Sequence, residues 1–190
     1  KAASKGLHEG YYYLTINKDI QKADQRIILN VAPSELPNAI EKLFTIIQNY
    51  EFVCSLKFMG PINAAKKIDN IIIFTIYDNK LQQLLNDINN LKITTVNLLP
   101  SLIEEVKPGI GLADEPQIIN QIPISFGMKR VILSYMALFS ATTLKEMITI
   151  GTTYFEQAGI NVENPAYETK IKHNQTVLLE MNKLAKIWSS

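Results

Sequence analysis

Cationic side chains offer most of the chemistry in this sequence. The chain has a net charge of +1, and its two arginines, Arg26 and Arg130, lie far apart along it. Arginine suits the recognition of phosphate and carboxylate, because its planar guanidinium group donates two parallel hydrogen bonds. Lys129 and Arg130 fall in the first turn of a predicted helix, where the helix dipole also attracts anions. The sequence therefore makes Arg26, Lys129 and Arg130 candidate anion ligands.

Two lysines of the first half extend this set. Lys57 lies at the end of an apolar strand predicted for residues 52–58, and Lys67 precedes the most apolar strand of the chain. If these lysines converge with the arginines, they form one anion site. The alternative, separate solvated lysines with structural salt bridges at the arginines, stays open on the residues alone.

Other common chemistries lack the residues that they need. Cys54 is the only cysteine, so the sequence predicts no internal disulfide and no cysteine-rich zinc site, and its apolar neighbours predict a buried thiol. The chain has no nucleotide-binding loop, zinc-protease pair or nucleophile elbow. Residues 109–111 (GIG) superficially resemble a phosphate loop, but no predicted strand leads into them. We therefore expect neither a cofactor nor a metal.

Composition places the chain among the globular proteins. Hydrophobic residues make up 47% and charged residues 19% of its 190 positions, which is enough apolar material for a core. The near-neutral net charge gives no support to a nucleic-acid partner. No apolar run approaches the roughly 20 residues that a helix needs to cross a bilayer, so we expect no membrane span.

The hydrophobic pattern predicts an α+β fold, with a mixed, mainly antiparallel sheet in the first half and helices concentrated in the second. Residues 11–16 and 26–31 have the composition of strands, and we expect them to pair with each other in antiparallel fashion. Residues 52–58 and 70–77 follow as further strands, the second of them apolar enough to be buried on both faces. Ser34 is a suitable N-cap for a helix between these two pairs of strands.

The second half is predicted to be mainly helical. Apolar residues recur at helical spacing over residues 128–139, with Ser125 as a suitable cap. Thr143 and Glu146 form a capping box for the next helix. A last helix is predicted over residues 177–188.

A long loop, residues 107–123, is predicted between the sheet-rich and helix-rich halves. It contains three prolines and two glycines, and it is too long for a simple turn. We expect it to be ordered in part, with Glu115-Pro116 anchored against the helical half. Residues 1–190 are predicted to form a single domain, with residues 1–9 flexible.

Several segments of the chain resemble, in order, motifs of the Hop-A family of type III effectors, which occurs in plant-pathogenic pseudomonads and in other bacteria. They are residues 10–14 (GYYYL), 26–31 (RIILNV), 109–116 (GIGLADEP), 125–130 (SFGMKR) and 155–160 (FEQAGI), followed by Asn164-Pro165. The resemblance extends from residue 10 to about residue 167. It is carried by the set of motifs, since each of them alone is short.

The resemblance implies a secreted bacterial virulence effector that is delivered into a host cell and acts on host signalling or immunity through protein binding. Its partners are then host proteins, phosphorylated ones among them, and a secretion chaperone that binds an N-terminal part outside this sequence. The initial lysine indicates a fragment of a longer protein.

A more distant resemblance leads, through the lyases that mature lanthionine-containing peptides, to the phosphothreonine lyases. These enzymes remove phosphate by β-elimination, which needs a base, an acid and cations around the phosphate. The resemblance implies Lys57 as the base, with Arg26, Lys67 and Arg130 as phosphate ligands. Those lyases carry a histidine acid on an early strand, whereas the early strands predicted here contain none, so Tyr13 is the candidate acid.

A lysine base must lose its proton near neutral pH. Burial and neighbouring cations both lower the pKa of a lysine from its ordinary value of about 10.4. The enzyme hypothesis therefore predicts that Lys57 is largely buried and that its amine faces other basic residues. Protein binding and phospholyase chemistry stand as alternative functions.

Overall fold

The structure, a computed structural model, describes residues 10–60, 63, 65–116, 124–169 and 174–189. The chain divides into two compact units, Lys1–Ala113 and Asp114–Ser190. The strands come first along the chain and most of the helices follow, so the predicted α+β fold is confirmed. The flexibility predicted for residues 1–9 lies outside the described residues.

Six strands form one sheet. In chain order they are β1 (Tyr11–Thr15), β2 (Gln25–Leu29), β3 (Val53–Met59), β4 (Ile71–Thr75), β5 (Glu104–Lys107) and β6 (Ile110–Asp114). Their order across the sheet is β1-β3-β4-β2-β6-β5. The pairings of β1 with β3, of β3 with β4, of β2 with β4 and of β5 with β6 are antiparallel.

The prediction that the first two strands pair with each other is wrong, because β3 and β4 lie between them. Every residue of β2 is buried, and a strand buried on both faces belongs inside a sheet. β1 instead has exposed residues at Tyr12 and Thr15, which suits its position at the edge. Cys54 of β3 is buried, as predicted, and burial raises the pKa of its thiol to about 11.

Among the described residues of the first unit are two amphipathic helices. A 3-10 turn (Pro33–Glu35) leads into α1 (Leu36–Ile47), and α2 (Leu81–Asn90) follows β4. Each helix buries one stripe of residues at helical spacing, namely Leu36, Ala39, Leu43 and Ile47 on α1 and Leu84, Leu85 and Ile88 on α2. Burial of these stripes stabilises the unit through the hydrophobic effect.

The second unit is helical. Its helices are α3 (Phe126–Ser140), α4 (Leu144–Gln157) and α5 (Gln175–Ser189). A core formed by Ile132, Leu133, Ala158, Ile160, Leu178 and Met181, among others, joins them. The two caps predicted for this unit are confirmed, since the hydroxyls of Ser125 and Thr143 accept hydrogen bonds from the backbone N–H groups of Met128 and Glu146. The cap predicted at Ser34 is wrong, because Ser34 lies within the 3-10 turn and α1 begins after Glu35 without a side-chain cap.

The long loop predicted between the two halves contains regular structure. Residues 110–114 of it form β6, which pairs with β5. The turn between the strands passes through Gly109, whose φ of +71° favours glycine. Residues 117–123 of the predicted loop lie outside the described residues.

Candidate functional site

Lys57 and Tyr13, the predicted base and acid, are direct neighbours in the sheet. Tyr13 of β1 is the register partner of Lys57 of β3, so both side chains point to the same face. The Lys57 ammonium nitrogen lies 4.0 Å from the ring centroid of Tyr11 and 5.5 Å from that of Tyr13. Lys57 is half-buried, and a cation over two tyrosine rings is stabilised by their negative faces.

Arg26 projects from the same face of the sheet. It is the register partner of Phe74 on β4, which in turn faces Ser55 on β3. Because alternate residues of a strand share a face, Ser55 and Lys57 point the same way, and so do Phe74 and Arg26. The guanidinium carbon of buried Arg26 lies 5.6 Å from the Phe74 ring centroid. Three of the predicted site residues therefore share one face, which we call the lysine face.

Tyr11 belongs to the lysine face, although the sequence did not single it out. Its hydroxyl donates a hydrogen bond of 3.0 Å to a carboxylate oxygen of Asp69. Burial and the charge of Asp69 raise the pKa of Tyr11 well above its ordinary value. The signal in the sequence is the alternation of Tyr11 and Tyr13, which puts both rings on the side of Lys57.

The remaining predicted anion ligands have other surroundings. Lys67 is exposed in the connection that leads to β4. Lys129 and Arg130 lie in the second unit, and both are buried in the first turns of α3. The structure thus brings Lys57, Tyr13 and Arg26 to one face of the sheet.

Lys129 is fully buried and forms a salt bridge with Glu168, with 2.5 Å between its ammonium nitrogen and a carboxylate oxygen. Burial lowers the pKa of Lys129, and the neighbouring Glu168 carboxylate opposes that shift. The backbone N–H of Glu168 in turn donates to the carboxylate of Asp114 at 2.8 Å. These contacts attach residues 165–168 to the start of α3.

Arg130 also attaches residues 165–168 to the start of α3. Its Nε and one terminal nitrogen donate to the carbonyl oxygen of Pro165, and its other terminal nitrogen donates to the carbonyl oxygen of Phe126. Its guanidinium carbon also lies 3.5 Å from the centroid of the Phe126 ring. Lys129 and Arg130 therefore have protein acceptors as partners, and their observed contacts hold the second unit together.

A second candidate surface is formed by the connection between α2 and β5, residues 92–103, which we call the apolar loop. Val96, Leu98 and Leu102 are exposed on it. Such side chains cost free energy in water, and a group of them indicates a contact surface. Two residues of the loop, Lys92 and Leu102, have a positive φ, which is strained for residues other than glycine.

The backbone of the apolar loop is tied to buried β-structure. The side-chain amide of buried Asn30 donates to the carbonyl oxygen of Leu98 at 2.7 Å, and its backbone carbonyl accepts from the N–H of Val96 at 2.7 Å. Thr95 donates from its hydroxyl to the carbonyl oxygen of Pro108. The apolar side chains are therefore displayed on a backbone with little freedom to rearrange.

Two glycines allow the apolar loop to pack closely on the hairpin of β5 and β6. A Cβ atom on Gly109 would lie 2.4 Å from the carbonyl oxygen of Val96, and one on Gly111 would lie 2.4 Å from a methyl carbon of Ile103. Both distances are far below a van der Waals contact. The motif that superficially resembles a phosphate loop thus provides space for another segment of the chain.

Within the described part of the chain, no three histidine, cysteine, aspartate or glutamate side chains are grouped so that they could hold a metal ion. The same residues include no helix that is both long and apolar enough to span a membrane.

A family model described as the HopA1 effector protein family matches residues 2–167. Among solved structures, the effector protein from Pseudomonas syringae pv. tomato strain DC3000 is similar, with 17% identity and a TM-score of 0.71 over 84% of this chain and 63% of that one. The effector protein from Pseudomonas syringae pv. syringae strain 61 has 18% identity and a TM-score of 0.70, over 85% and 64% of the two chains. The chain thus spans less than two thirds of either structure. No curated protein matches it.

Proposed function

The chain belongs to the HopA1 effector protein family, and from that premise we propose that it is secreted into a host cell and acts on host signalling or immunity by binding a host protein through the apolar loop. The family makes it a bacterial effector, and the two similar structures share its fold. The observation that carries the proposal is the exposure of Val96, Leu98 and Leu102 on a tightly held backbone.

Rigid display is what makes this loop suitable for binding. A flexible loop loses conformational entropy when a partner orders it, and this loss subtracts from the affinity. The hydrogen bonds of Asn30 and the close packing on Gly109 have already removed that freedom in the free protein. Burial of Val96, Leu98 and Leu102 against a partner then contributes about 25 cal/mol for each Å² of apolar surface removed from water.

We expect Leu98→Asp to abolish capture of the host partner. Leu98 is 56% exposed, so the change leaves the fold intact but places a charge where the partner must exclude water. The measurement is capture from host-cell lysate on immobilised protein, followed by mass spectrometry. The matched control is Leu179→Asp on α5, where the leucine is 53% exposed. Equal loss of capture by both variants, or capture undiminished by Leu98→Asp, would refute the role of the loop.

A second candidate function is β-elimination of phosphate from phosphothreonine or phosphoserine, and the lysine face favours it. Lys57 and Tyr13 are adjacent, and Arg26 points to the same side. In this reaction Lys57 must first lose the proton that the tyrosine rings favour. Its neutral amine then takes the α-proton, the Cα–Cβ double bond forms and the Cβ–O bond breaks. The phenol of Tyr13 protonates the leaving phosphate, and Arg26 stabilises its charge. Lanthionine-peptide lyases use the same elimination.

The test of this second function is incubation with phosphothreonine and phosphoserine peptides. We expect wild-type protein to yield peptides that have lost phosphoric acid, as measured by mass spectrometry. Lys57→Ala should lower the rate by roughly 100-fold or more, the usual effect of losing a general base. Lys66→Ala, which changes an exposed lysine, is the control. Absence of product with the wild type, or equal rates for wild type and Lys57→Ala, would exclude Lys57 as the base.

A further inference from the structure

Helices α3 and α4 expose an apolar surface that the apolar loop and the lysine face do not include. Its members are large apolar side chains between 36% and 71% exposed: Val131, Tyr135, Leu138 and Phe139 of α3, and Leu144 and Ile148 of α4. We call this set the helix-pair surface. The four residues of α3 recur at i, i+4, i+7 and i+8, on the side of the helix opposite buried Leu133.

The two helices form a hairpin, and close packing between them holds this surface in place. Residues 141–143 connect them, and a Cβ atom on Gly151 of α4 would lie 3.5 Å from the Cβ of Ala137 on α3. The helices therefore meet through small residues on their inner sides. No residue of α4 is buried, although a helix of a globular protein commonly buries a stripe along its length. The hairpin thus exposes much of its outer side.

The area of the helix-pair surface fits an interface between proteins. Its six side chains expose on the order of 600 Å² of apolar surface, at the upper end of what a typical monomer shows in one patch. A standard interface removes about 800 Å² from each partner, of which the polar rim supplies a part. The surface is therefore large enough to form the centre of such an interface.

Charge on α3 suits a partner with the same surface. The only charged residues of α3 are Lys129 and Arg130, and both are buried, so its exposed side carries no charge. In a two-fold interface each residue lies near its own copy or near a symmetry-related neighbour, and an exposed charge at the centre would meet like charges. An uncharged centre avoids this repulsion. It also carries no charge that would favour a partner of opposite charge. Exposed Lys145 and Glu146, of opposite sign, lie at the start of α4.

We propose that the helix-pair surface binds the same surface of a second copy of this chain, so that two hairpins form a four-helix bundle about a two-fold axis. Antiparallel hairpins that pack through apolar stripes are the usual way to build such a bundle. The proposal rests on residues of the second unit alone, and it is independent of host binding through the apolar loop.

The test is the molar mass of the purified chain in solution, measured by sedimentation over micromolar concentrations. We expect the wild type to approach twice the 21.4 kDa of one copy. Leu138→Glu with Ile148→Glu places each charge in the interface twice, and should raise the dissociation constant at least roughly 100-fold. Leu179→Glu, which changes a leucine of similar exposure on α5, should leave the dimer intact. Circular dichroism and the unfolding midpoint establish that each variant is folded.

A charge-swap mixture tests the symmetry of the contact. Leu138→Lys with Ile148→Lys should also be monomeric, and mixing it with the glutamate variant should restore dimers, because opposite charges then face each other. A wild type that stays monomeric throughout the concentration range would overturn the proposal. A folded glutamate variant that still dimerises would overturn it as well. Loss of host-protein capture by this variant, with a monomeric wild type, would assign the surface to a host partner instead.

Discussion

Replacing Lys129 by methionine is expected to lower the free energy of unfolding by about 3–5 kcal/mol, the usual cost of breaking a buried ion pair. The change leaves the carboxylate of Glu168, whose side chain is 10% exposed, without its cation. The segment at residues 165–168 then loses its attachment to Lys129, whereas its contacts to Arg130, Asp114 and Asn161 remain. The measurement is urea unfolding followed by circular dichroism, which reports the helices of the second unit.

A double-mutant cycle separates the ion pair from the size of the side chain. Lys129→Met with Glu168→Leu removes both charges together, and we expect it to recover most of the stability that either single change loses. Lys183→Met is the matched control, because Lys183 forms an exposed salt bridge with Glu180 and should cost no more than about 1 kcal/mol. Additive losses in the double variant would contradict coupling between Lys129 and Glu168.

The second large effect is expected for Gly109→Ala. The new Cβ atom would lie 2.4 Å from the backbone oxygen of Val96, and the φ of +71° is itself unfavourable for alanine. Backbone strain of this kind costs about 1–2 kcal/mol, and the clash adds to it because a backbone carbonyl cannot rotate away. We expect a loss of stability of at least about 2 kcal/mol, together with displacement of the apolar loop.

Unfolding in urea and capture of the host partner are the two readouts for this variant. Gly127→Ala is the control, because a Cβ atom there meets nothing within 4 Å, and alanine in a helix should add about 0.5–1 kcal/mol of stability. If Gly109→Ala unfolded at the same urea concentration as Gly127→Ala, close packing of the loop on the hairpin would be disproved. Normal capture by a destabilised Gly109→Ala would separate the position of the loop from binding.

Much of the fold is predictable from local patterns, because the buried residues of a helix or strand recur in the sequence at the spacing of that element. The caps at Ser125 and Thr143 and the doubly buried strand β4 were visible in this way. The pairing of strands was not. Two strands that are consecutive in the chain pair often, and nothing near β1 indicates that β3, a later strand, becomes its neighbour.

The site was less predictable, because the environment of a charged residue depends on distant partners. Lys129 and Arg130 stand at a helix start as an anion site requires, but their acceptors, Glu168 and Pro165, come more than thirty positions later. The exposed position of Lys67 likewise depends on the path of the chain outside regular elements. Adjacency of Lys57 and Tyr13 depends on the register between β1 and β3, which no local pattern reveals.

The strand order β1-β3-β4-β2-β6-β5 also governs the sequence of events when the chain folds. Hairpins such as β5–β6 join residues that are close in the chain, and such hairpins close within about 1–10 µs. The pairs Tyr13–Lys57 and Arg26–Phe74 join residues that are distant in the chain. The loss of entropy on closing a long loop therefore opposes the formation of each pair. We therefore expect the central sheet to form late. Lys57 and Arg26 come to share a face only at that stage, and a folding intermediate with local structure alone has no lysine face.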